Sequence, residues 1–201
     1  MSKGILCDGT YYCDHIGTSV KDEEDIMQFR VKHREFAVGL GNYIKYCSFS
    51  DETKRVMRTY IVRDYVTDDV VGYFSLKAGL ISLNERVVFD DSENNKIVFD
   101  TMPGIEIANY ALNANYRNKH PESKGIGVAI FRHFIMELSY QAAEIIGARL
   151  LYIFSLPIEN LVKRYNTVYH FTRLDDSQED ALHKRIKPIY DKSCIFMYQL
   201  L

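Results

Sequence analysis

Residues 106–134 read EIANYALNANYRNKHPESKGIGVAIFRHF, two apolar segments joined by a polar loop and a pair of glycines. The first segment, 104–113, predicts a strand buried on at least one face. After Gly127, apolar residues recur at alternating steps of four and three, which predicts an amphipathic helix ending near Gly147. This apolar stripe consists of Phe131, Ile135, Leu138, Ala142 and Ile145. The chain therefore passes from a strand through a glycine turn into a helix.

The turn at Gly125 and Gly127 has two interpretations. The first N–H groups of a helix lack partners within the helix, and the helix dipole adds positive potential, so such a turn can bind phosphate. The turn is neither a Walker loop, which needs Lys-Ser/Thr after its last glycine, nor a Rossmann fingerprint, which needs glycine where Ile130 stands. A purely structural turn is the alternative, because a bare G-x-G is weak evidence.

The segment before residue 50 predicts two helices. Acidic residues at the front and apolar residues at helical spacing predict a helix from Asp22 to about Val38. A short second helix is expected near Asn42 to Cys47, separated from the first by Gly39 and Gly41.

A hairpin is predicted next. Two β-branched and aromatic runs, near 58–64 and 70–83, flank the polar turn Thr67-Asp68-Asp69. The second run contains Gly72 and Gly79, which are expected to bulge or bend so long a strand.

The other predicted elements alternate between strands and helices. They are a short strand at 96–100, a turn at Pro103-Gly104, a buried strand at 150–156, a helix in the first half of 158–171, a helix at 178–187 and a closing strand at 194–201. This order predicts an α/β (α+β) fold, a mixed sheet with helices on its faces.

Composition predicts one domain over residues 1–201, with an irregular N-terminal segment at 1–20. The residues are 47% hydrophobic and 26% charged, which favours a packed core over disorder. The formal net charge of −2 gives no general attraction to nucleic acid or anionic membrane. No apolar run approaches a membrane span, and the N-terminus resembles no signal peptide, so a cytoplasmic protein is expected.

The four cysteines are scattered without a C-x-x-C pair, which favours reduced thiols. Cys7, Cys13 and His15 are the one combination that could bind a metal. They lack a clustered fourth ligand, so no metal is expected.

The strand, loop and glycine turn resemble the coenzyme A motif of the GNAT (general control related N-acetyltransferase) superfamily. In that motif E-L-x-x-L-x-V-x-x-x-Y-R runs into R/Q-x-x-G-x-G/A. The residues that match in order are Glu106, Tyr110, Leu112, Tyr116, Arg117, Gly125 and Gly127. The chain departs from the motif at Glu122, which replaces Arg or Gln, and at 118–123, which lengthen the loop.

Two further segments resemble the same superfamily. VVGYFSLKAG, 70–79, is similar to its V-G-Y-x-x-L strand, and 151–171 is similar to its next strand and helix, with Asn160, Tyr165 and Phe171 as counterparts. His170 stands where the superfamily has glycine before that phenylalanine.

The resemblance implies a mostly antiparallel sheet and acetyl-CoA as co-substrate, bound between splayed strands at 105–113 and 150–156. It implies that the main-chain N–H near Leu112 polarises the thioester and that Asn160 binds the pantetheine arm. The phosphates would meet the N–H groups of Lys124, Gly125, Ile126, Gly127 and Val128. Positive charge could come from Lys119, Lys124 or Lys163, although such lysines are more often solvated.

The catalytic residues implied are a base and an acid. Glu106 is the candidate base, acting directly or through water; the alternative is a strand-end glutamate that faces solvent. Tyr165 is the candidate acid for the leaving thiolate, with Tyr169 second, and either could instead pack in the core.

The resemblance implies an N-acetyltransferase acting on a primary amine, in a small molecule or a peptide. A toxin-like GNAT that acetylates aminoacyl-tRNA is the first alternative, suggested by VVGYFSLKAG; interspersed charges, as in DDSQEDALHKRIKP, argue against nucleic acid. A non-catalytic acyl-CoA-binding sensor is the second alternative. No membrane partner is expected, and a homodimer is compatible with the sequence.

Overall fold

The structure is a computed structural model. It describes residues 3–32, 34–89, 95–186 and 193–201, with the backbone alone at 34–36, 83–89 and 95–99. Its strands are β1 (Leu6–Cys7), β2 (Tyr11–His15), β3 (Arg58–Asp64), β4 (Val70–Phe89), β5 (Asn95–Leu112), β6 (Leu150–Ser155), β7 (Thr172–Arg173) and β8 (Ile195–Leu200). Its helices are α1 (Asp22–Met27), α2 (Arg34–Tyr46), α3 (Ser48–Thr53), α4 (Ala114–Lys119), α5 (Ile126–Ile130), α6 (Met136–Ile146), α7 (Glu159–Thr167) and α8 (Asp176–Arg185), with a π-helical turn at Phe131–Ile135.

The strands form one sheet in the order β1-β2-β3-β4-β5-β6-β8-β7. Among the pairings described residue by residue, β5–β6 is parallel and the others are antiparallel. The β5–β6 ladder joins Gly104–Glu106 to Leu150–Tyr152, and both strands continue beyond it. The mostly antiparallel α/β fold expected from the sequence is confirmed.

The chain divides into two compact units. Unit 1 comprises Met1–Lys77 and Ile107–Ser139, and unit 2 comprises Ala78–Glu106 and Tyr140–Leu201.

In unit 1, apolar residues of α1 and α2 pack with those of β3 and β4. Ile26, Ile44, Ile61 and Tyr73 belong to this core and are at most 2% exposed. Unit 1 also contains a buried ion pair, in which Arg63 Nη2 lies 2.7 Å from Asp22 Oδ1.

In unit 2, all six residues of β6 are buried, as their unbroken apolar run predicts. Phe154 of β6, Phe196 of β8 and Leu182 of α8 share one hydrophobic core. Asp175 caps α8 by accepting a hydrogen bond from the N–H of Gln178, so the helix starts two residues before the predicted position.

The predicted helix from Asp22 to Val38 is interrupted. α1 ends at Met27, and the backbone of Arg30 instead bonds the end of β5, with N–H to Asn113 Oδ1 at 3.3 Å and C=O from Ala114 N–H at 2.8 Å. These tertiary hydrogen bonds outweigh the helical pattern, which is only a weak local preference.

The predicted break at Gly39 and Gly41 is also wrong. α2 runs through both glycines and ends at Tyr46, and α3 follows it. Each glycine costs a helix roughly 1 kcal/mol, which packing of Leu40 and Ile44 offsets.

β5 is one strand across the turn predicted at Pro103-Gly104. The carbonyl of Pro103 accepts a hydrogen bond from Arg149 N–H, and Gly104 pairs with Leu150. A Cβ at Gly104 would lie 2.5 Å from Leu150 Cδ1, so the glycine serves close packing of strands here.

The N-terminal segment, expected to be irregular, forms β1 and β2. Tyr11–His15 pairs with the edge of β3, from Tyr11 opposite Asp64 to His15 opposite Tyr60. Two tyrosines and a cysteine suit a strand, but five residues are too few to give a clear pattern.

The helical segment after the glycine turn differs from its predicted stripe. Its buried positions fall in pairs four residues apart: Ile126/Gly127, Ile130/Phe131, Phe134/Ile135 and Leu138/Ser139. A four-residue step overshoots an α-helical turn of 3.6 residues, and the wider π-turn takes up part of that drift. Ile145 belongs to the predicted apolar stripe, but its side chain is 82% exposed.

Candidate functional site

The glycine turn in unit 1 has the geometry of a helix entry. Gly125 has a φ of 87°, in the left-handed region that glycine adopts without steric cost. Apart from Gly125 and its two chain neighbours, no described residue has an atom within 4 Å of the position that a Cβ at Gly125 would occupy. The helical segment begins at the next residue, Ile126.

Three of the five predicted phosphate-binding N–H groups are used within the turn. Lys124 N–H donates to Glu122 O at 2.7 Å, Val128 N–H to Gly125 O at 2.8 Å, and Ile126 N–H to Ser123 O at 3.3 Å. The N–H groups of Gly125 and Gly127 have no hydrogen-bond acceptor among the residues the structure describes. These two groups are therefore the donors ready for an anion.

The turn is fixed to the strand that precedes it. The hydroxyl of Tyr110, on β5, donates to Gly127 O at 2.5 Å. Leu112 is the last residue of β5, and Gly72 of β4 lies against it: a Cβ at Gly72 would be 2.8 Å from Ala111 O and 3.3 Å from Leu112 Cδ2. Gly72 thus permits close approach. The β3–β4 register also shifts beside it, because Val62 pairs with Gly72 and Arg63 with Val70, which is the irregularity expected there.

The lengthened loop overlaps the end of α4 and contains a stacked histidine. The His120 ring stacks on Tyr116 with centroids 4.3 Å apart, and its Nδ1 lies 3.0 Å from Glu122 Oε1. Glu122, the departure from the motif, is therefore paired with His120. A backbone hydrogen bond and the His120 contact lower the pKa of Glu122.

In unit 2, the carboxylate of Glu106 lies beside the hydroxyl of Tyr152. Glu106 is half-buried on β5, and Tyr152 Oη on β6 lies 3.3 Å from its Oε2. Burial is the main cause of a raised pKa at Tyr152, and the negative charge of the Glu106 carboxylate raises this pKa further. Tyr152 therefore stays protonated and donates to Glu106 at neutral pH.

Both candidate acids are buried in unit 2. Tyr165 on α7 and Tyr169 just after it are each 5% exposed, and their rings lie 5.4 Å apart. His170 has a φ of 61°, and Phe171 N–H then donates to Tyr165 O at 2.9 Å. His170 thus adopts the conformation for which the motif has glycine.

Asn160 and the three candidate lysines lie in three places: α7, the glycine turn and α4. Asn160 is exposed on α7, and Lys124 is exposed at the glycine turn. Lys119 lies 3.7 Å from Asp69 in unit 1. Lys163 of α7 and Arg173 line an open groove of about 520 Å³ in unit 2.

The sequence interpretation missed the contact of Tyr152 with Glu106 and with Gly79, where an added Cβ would lie 1.8 Å from Tyr152 Oη. Gly79 lies 73 positions before Tyr152 in the chain, and a local pattern carries no signal for such a contact. The expectation that 105–113 and 150–156 are splayed strands on either side of the co-substrate was the available clue to the Glu106–Tyr152 pair.

The described residues contain neither a cluster of metal-binding side chains nor a membrane-spanning helix. No group of three or more His, Cys, Asp or Glu side chains there is arranged for a metal ion. No helix in the described part of the chain is long and apolar enough to cross a membrane.

Neither a protein-family model nor a curated protein matches the sequence. Solved structures do match. The toxin AtaT, in a tyrosine-to-phenylalanine variant, aligns with a TM-score of 0.64 at 15% identity, over 100% of this chain and 93% of its own. AtaT complexed with acetyl-methionyl-tRNAfMet aligns with a TM-score of 0.64 at 14% identity, over 94% of each chain. AtaTR bound with acetyl-CoA aligns with a TM-score of 0.62 at 14% identity, over 95% of this chain and 94% of its own. The chain therefore has the GNAT fold of these toxins, as its motifs predicted.

Proposed function

We propose that the protein is an acetyl-CoA-dependent N-acetyltransferase. The observation that carries this proposal is the pair of N–H groups at Gly125 and Gly127, which have no acceptor in the described residues and stand at the start of a helix. Such groups and the helix dipole favour a phosphate. AtaTR bound with acetyl-CoA has the same fold, which supports the choice of ligand.

The residues present fit the diphosphate of acetyl-CoA. Gly125 brings no side chain into the turn, and Tyr110 holds the carbonyl of Gly127 so that the first helical turn is preorganised. Lys124 is exposed beside the glycines and adds positive charge. Three of the five predicted N–H groups are used within the turn, so the main-chain hydrogen bonds to the diphosphate would come from Gly125 and Gly127.

The chemistry follows from direct attack of an amine on a thioester. Acetyl-CoA supplies the activated acetyl group, and the main-chain N–H near Leu112 would polarise its carbonyl. Glu106 would take the proton of the amine, directly or through water, for which its half-buried position leaves access. Tyr165, or Tyr169 as the second candidate, would protonate the departing thiolate, and Asn160 would bind the pantetheine arm.

The acceptor best supported is the amino group of an aminoacyl-tRNA. AtaT complexed with acetyl-methionyl-tRNAfMet has the same fold over 94% of both chains. With a net charge of −2, the chain would bind tRNA through a local basic patch. A small-molecule or peptide amine is the second candidate, supported by the interspersed charges of the sequence.

The test is thiol release from acetyl-CoA in the presence of charged tRNAs, amino acids, polyamines and short peptides. Release with charged tRNA, and none with the same tRNA after deacylation, is the expected result. Release only with small amines would assign the second acceptor class. Tight acetyl-CoA binding without release across the panel would instead identify a sensor, and absence of binding would overturn the proposal.

A further inference from the structure

The candidate base Glu106 is held by a residue of the neighbouring strand. Glu106 and Tyr152 are partners in the parallel β5–β6 ladder, and both belong to unit 2. Their side chains meet at 3.3 Å, between Tyr152 Oη and Glu106 Oε2. Glu106 and Tyr152 form the last pair of the described β5–β6 ladder, so this contact lies where the pairing of the two strands ends.

The Tyr152 ring is fixed by the core of unit 2. Tyr152 is 3% exposed, and its ring lies 5.6 Å from that of Phe196 and 6.1 Å from that of Phe154. A ring so enclosed has few alternative rotamers. Its hydroxyl is therefore directed at Glu106 by packing.

Gly79 of β4 leaves room for that hydroxyl. A Cβ at Gly79 would lie 1.8 Å from Tyr152 Oη and 2.8 Å from its Cζ. Because no such approach is tolerated, alanine here would push the hydroxyl away from its present position. β4 is continuous through Gly79, so the glycine is not needed to end or interrupt the strand.

We infer that Tyr152 is a positioning residue for Glu106, and that Gly79 is required because any side chain there would displace the Tyr152 hydroxyl. The inference rests on the proposed function, in which Glu106 is the base. The phenol remains a donor because burial and the carboxylate keep it protonated. The hydrogen bond fixes the orientation of the Glu106 carboxylate at its Oε2 atom.

Steady-state kinetics of Tyr152→Phe test the inference. Loss of a hydrogen bond to a charged group is expected to lower kcat about tenfold, while KM for acetyl-CoA stays within about twofold. Tyr198→Phe is the matched control: Tyr198 faces Tyr152 across the β6–β8 ladder, and its loss of a hydroxyl should leave kcat unchanged. Thermal melting of each variant verifies folding.

A double-mutant cycle tests the role of Gly79. Gly79→Ala should lower kcat as Tyr152→Phe does, but it should have a smaller effect in the Tyr152→Phe background, where the hydroxyl it would displace is gone. If Gly79→Ala lowered kcat by the same factor in the wild type and in the Tyr152→Phe background, the assigned role of Gly79 would be overturned.

A measurement independent of turnover separates the two proposals. The ¹³C resonance of the Glu106 carboxyl, assigned by its loss in Glu106→Gln, should move in Tyr152→Phe and stay in place in Tyr198→Phe. An unmoved resonance, or wild-type kcat in Tyr152→Phe, overturns the positioning role. A moved resonance in a protein that releases no thiol with any acceptor overturns the proposed function and, with it, the catalytic meaning of the contact.

Discussion

The hydroxyl of Tyr110 donates a 2.5 Å hydrogen bond to the carbonyl of Gly127, so that β5 holds the first turn of the helix it leads into. Tyr110 matches the coenzyme A motif by position alone, and the structure shows what its hydroxyl does. The contact links the strand to the two N–H groups available for an anion.

Tyr110→Phe should weaken acetyl-CoA binding without unfolding the protein. Removing one hydrogen bond of about 1 kcal/mol that preorganises the turn predicts roughly fivefold weaker binding. Isothermal titration calorimetry measures the effect. Tyr46→Phe, at an exposed position on α2, is the control, and equal affinities for both variants would contradict the role of Tyr110.

Gly127→Asp should abolish acetyl-CoA binding. It places a side chain and a negative charge where the proposed diphosphate would meet the N–H of residue 127. Gly39→Asp adds the same charge at an exposed position of α2 and should bind as the wild type does. Unchanged affinity in Gly127→Asp would exclude the glycine turn as the phosphate site.

Tyr165→Phe should lower kcat by about two orders of magnitude, as expected for loss of a general acid, and leave KM for acetyl-CoA nearly unchanged. Tyr169→Phe is the matched comparison, because its ring is equally buried and lies 5.4 Å away. The reverse outcome would assign the acid to Tyr169. Full activity in both variants would remove both tyrosines from the mechanism.

His170→Gly should stabilise the protein. His170 has a φ of 61°, and a residue with a Cβ pays about 1 kcal/mol for that conformation. His170→Ala removes the imidazole and keeps the Cβ, so urea denaturation should rank glycine above alanine by about that amount. Equal stabilities would show that the left-handed backbone costs nothing there.

Asp64→Asn should be less stable than the wild type at neutral pH, with a gap that closes in acid. Burial acts to raise the pKa of Asp64, but hydrogen bonds from Tyr116 and from the N–H groups of Val66 and Thr67 lower it overall. Because the pKa of Asp64 is lower in the folded protein than its ordinary value of 3.8, the ionised carboxylate stabilises the fold above pH 3.8. That contribution is lost as the pH falls through the pKa of the folded state. Urea denaturation at pH 7 and near pH 3 measures it, with Asp180→Asn on the exposed side of α8 as control. A gap that is as large near pH 3 as at pH 7 would contradict this origin.

Much of the fold follows from local pattern. The hairpin around Asp68, the buried strand β6 and the helix after Pro157 lie close to their predicted positions, because apolar runs and turn residues determine such elements locally. The sequence pattern gave a wrong prediction where contacts between residues far apart in the chain determine the structure. The break after Met27 depends on hydrogen bonds between Arg30 and the Asn113 segment, more than 80 residues away.

The candidate site divides in the same way. Motif matching located the glycine turn, Glu106 and the tyrosines, whose roles stay predictions. It could not tell which N–H groups the turn uses for itself, because that depends on the conformation of residues 122–128. Nor could it find the pairing of Glu106 with Tyr152, since each lies in an apolar run with no polar neighbour in sequence to reveal the other.

The π-turn at Phe131–Ile135 has a consequence for comparing this chain with others. A helix with an extra residue in one turn presents its later residues about 100° out of phase with a regular helix of the same length. Residues before Phe131 and residues after Ile135 therefore cannot be aligned to a regular helix in a single register. A gap of one residue belongs inside this turn, and an alignment without it would compare buried positions of α6 with exposed ones.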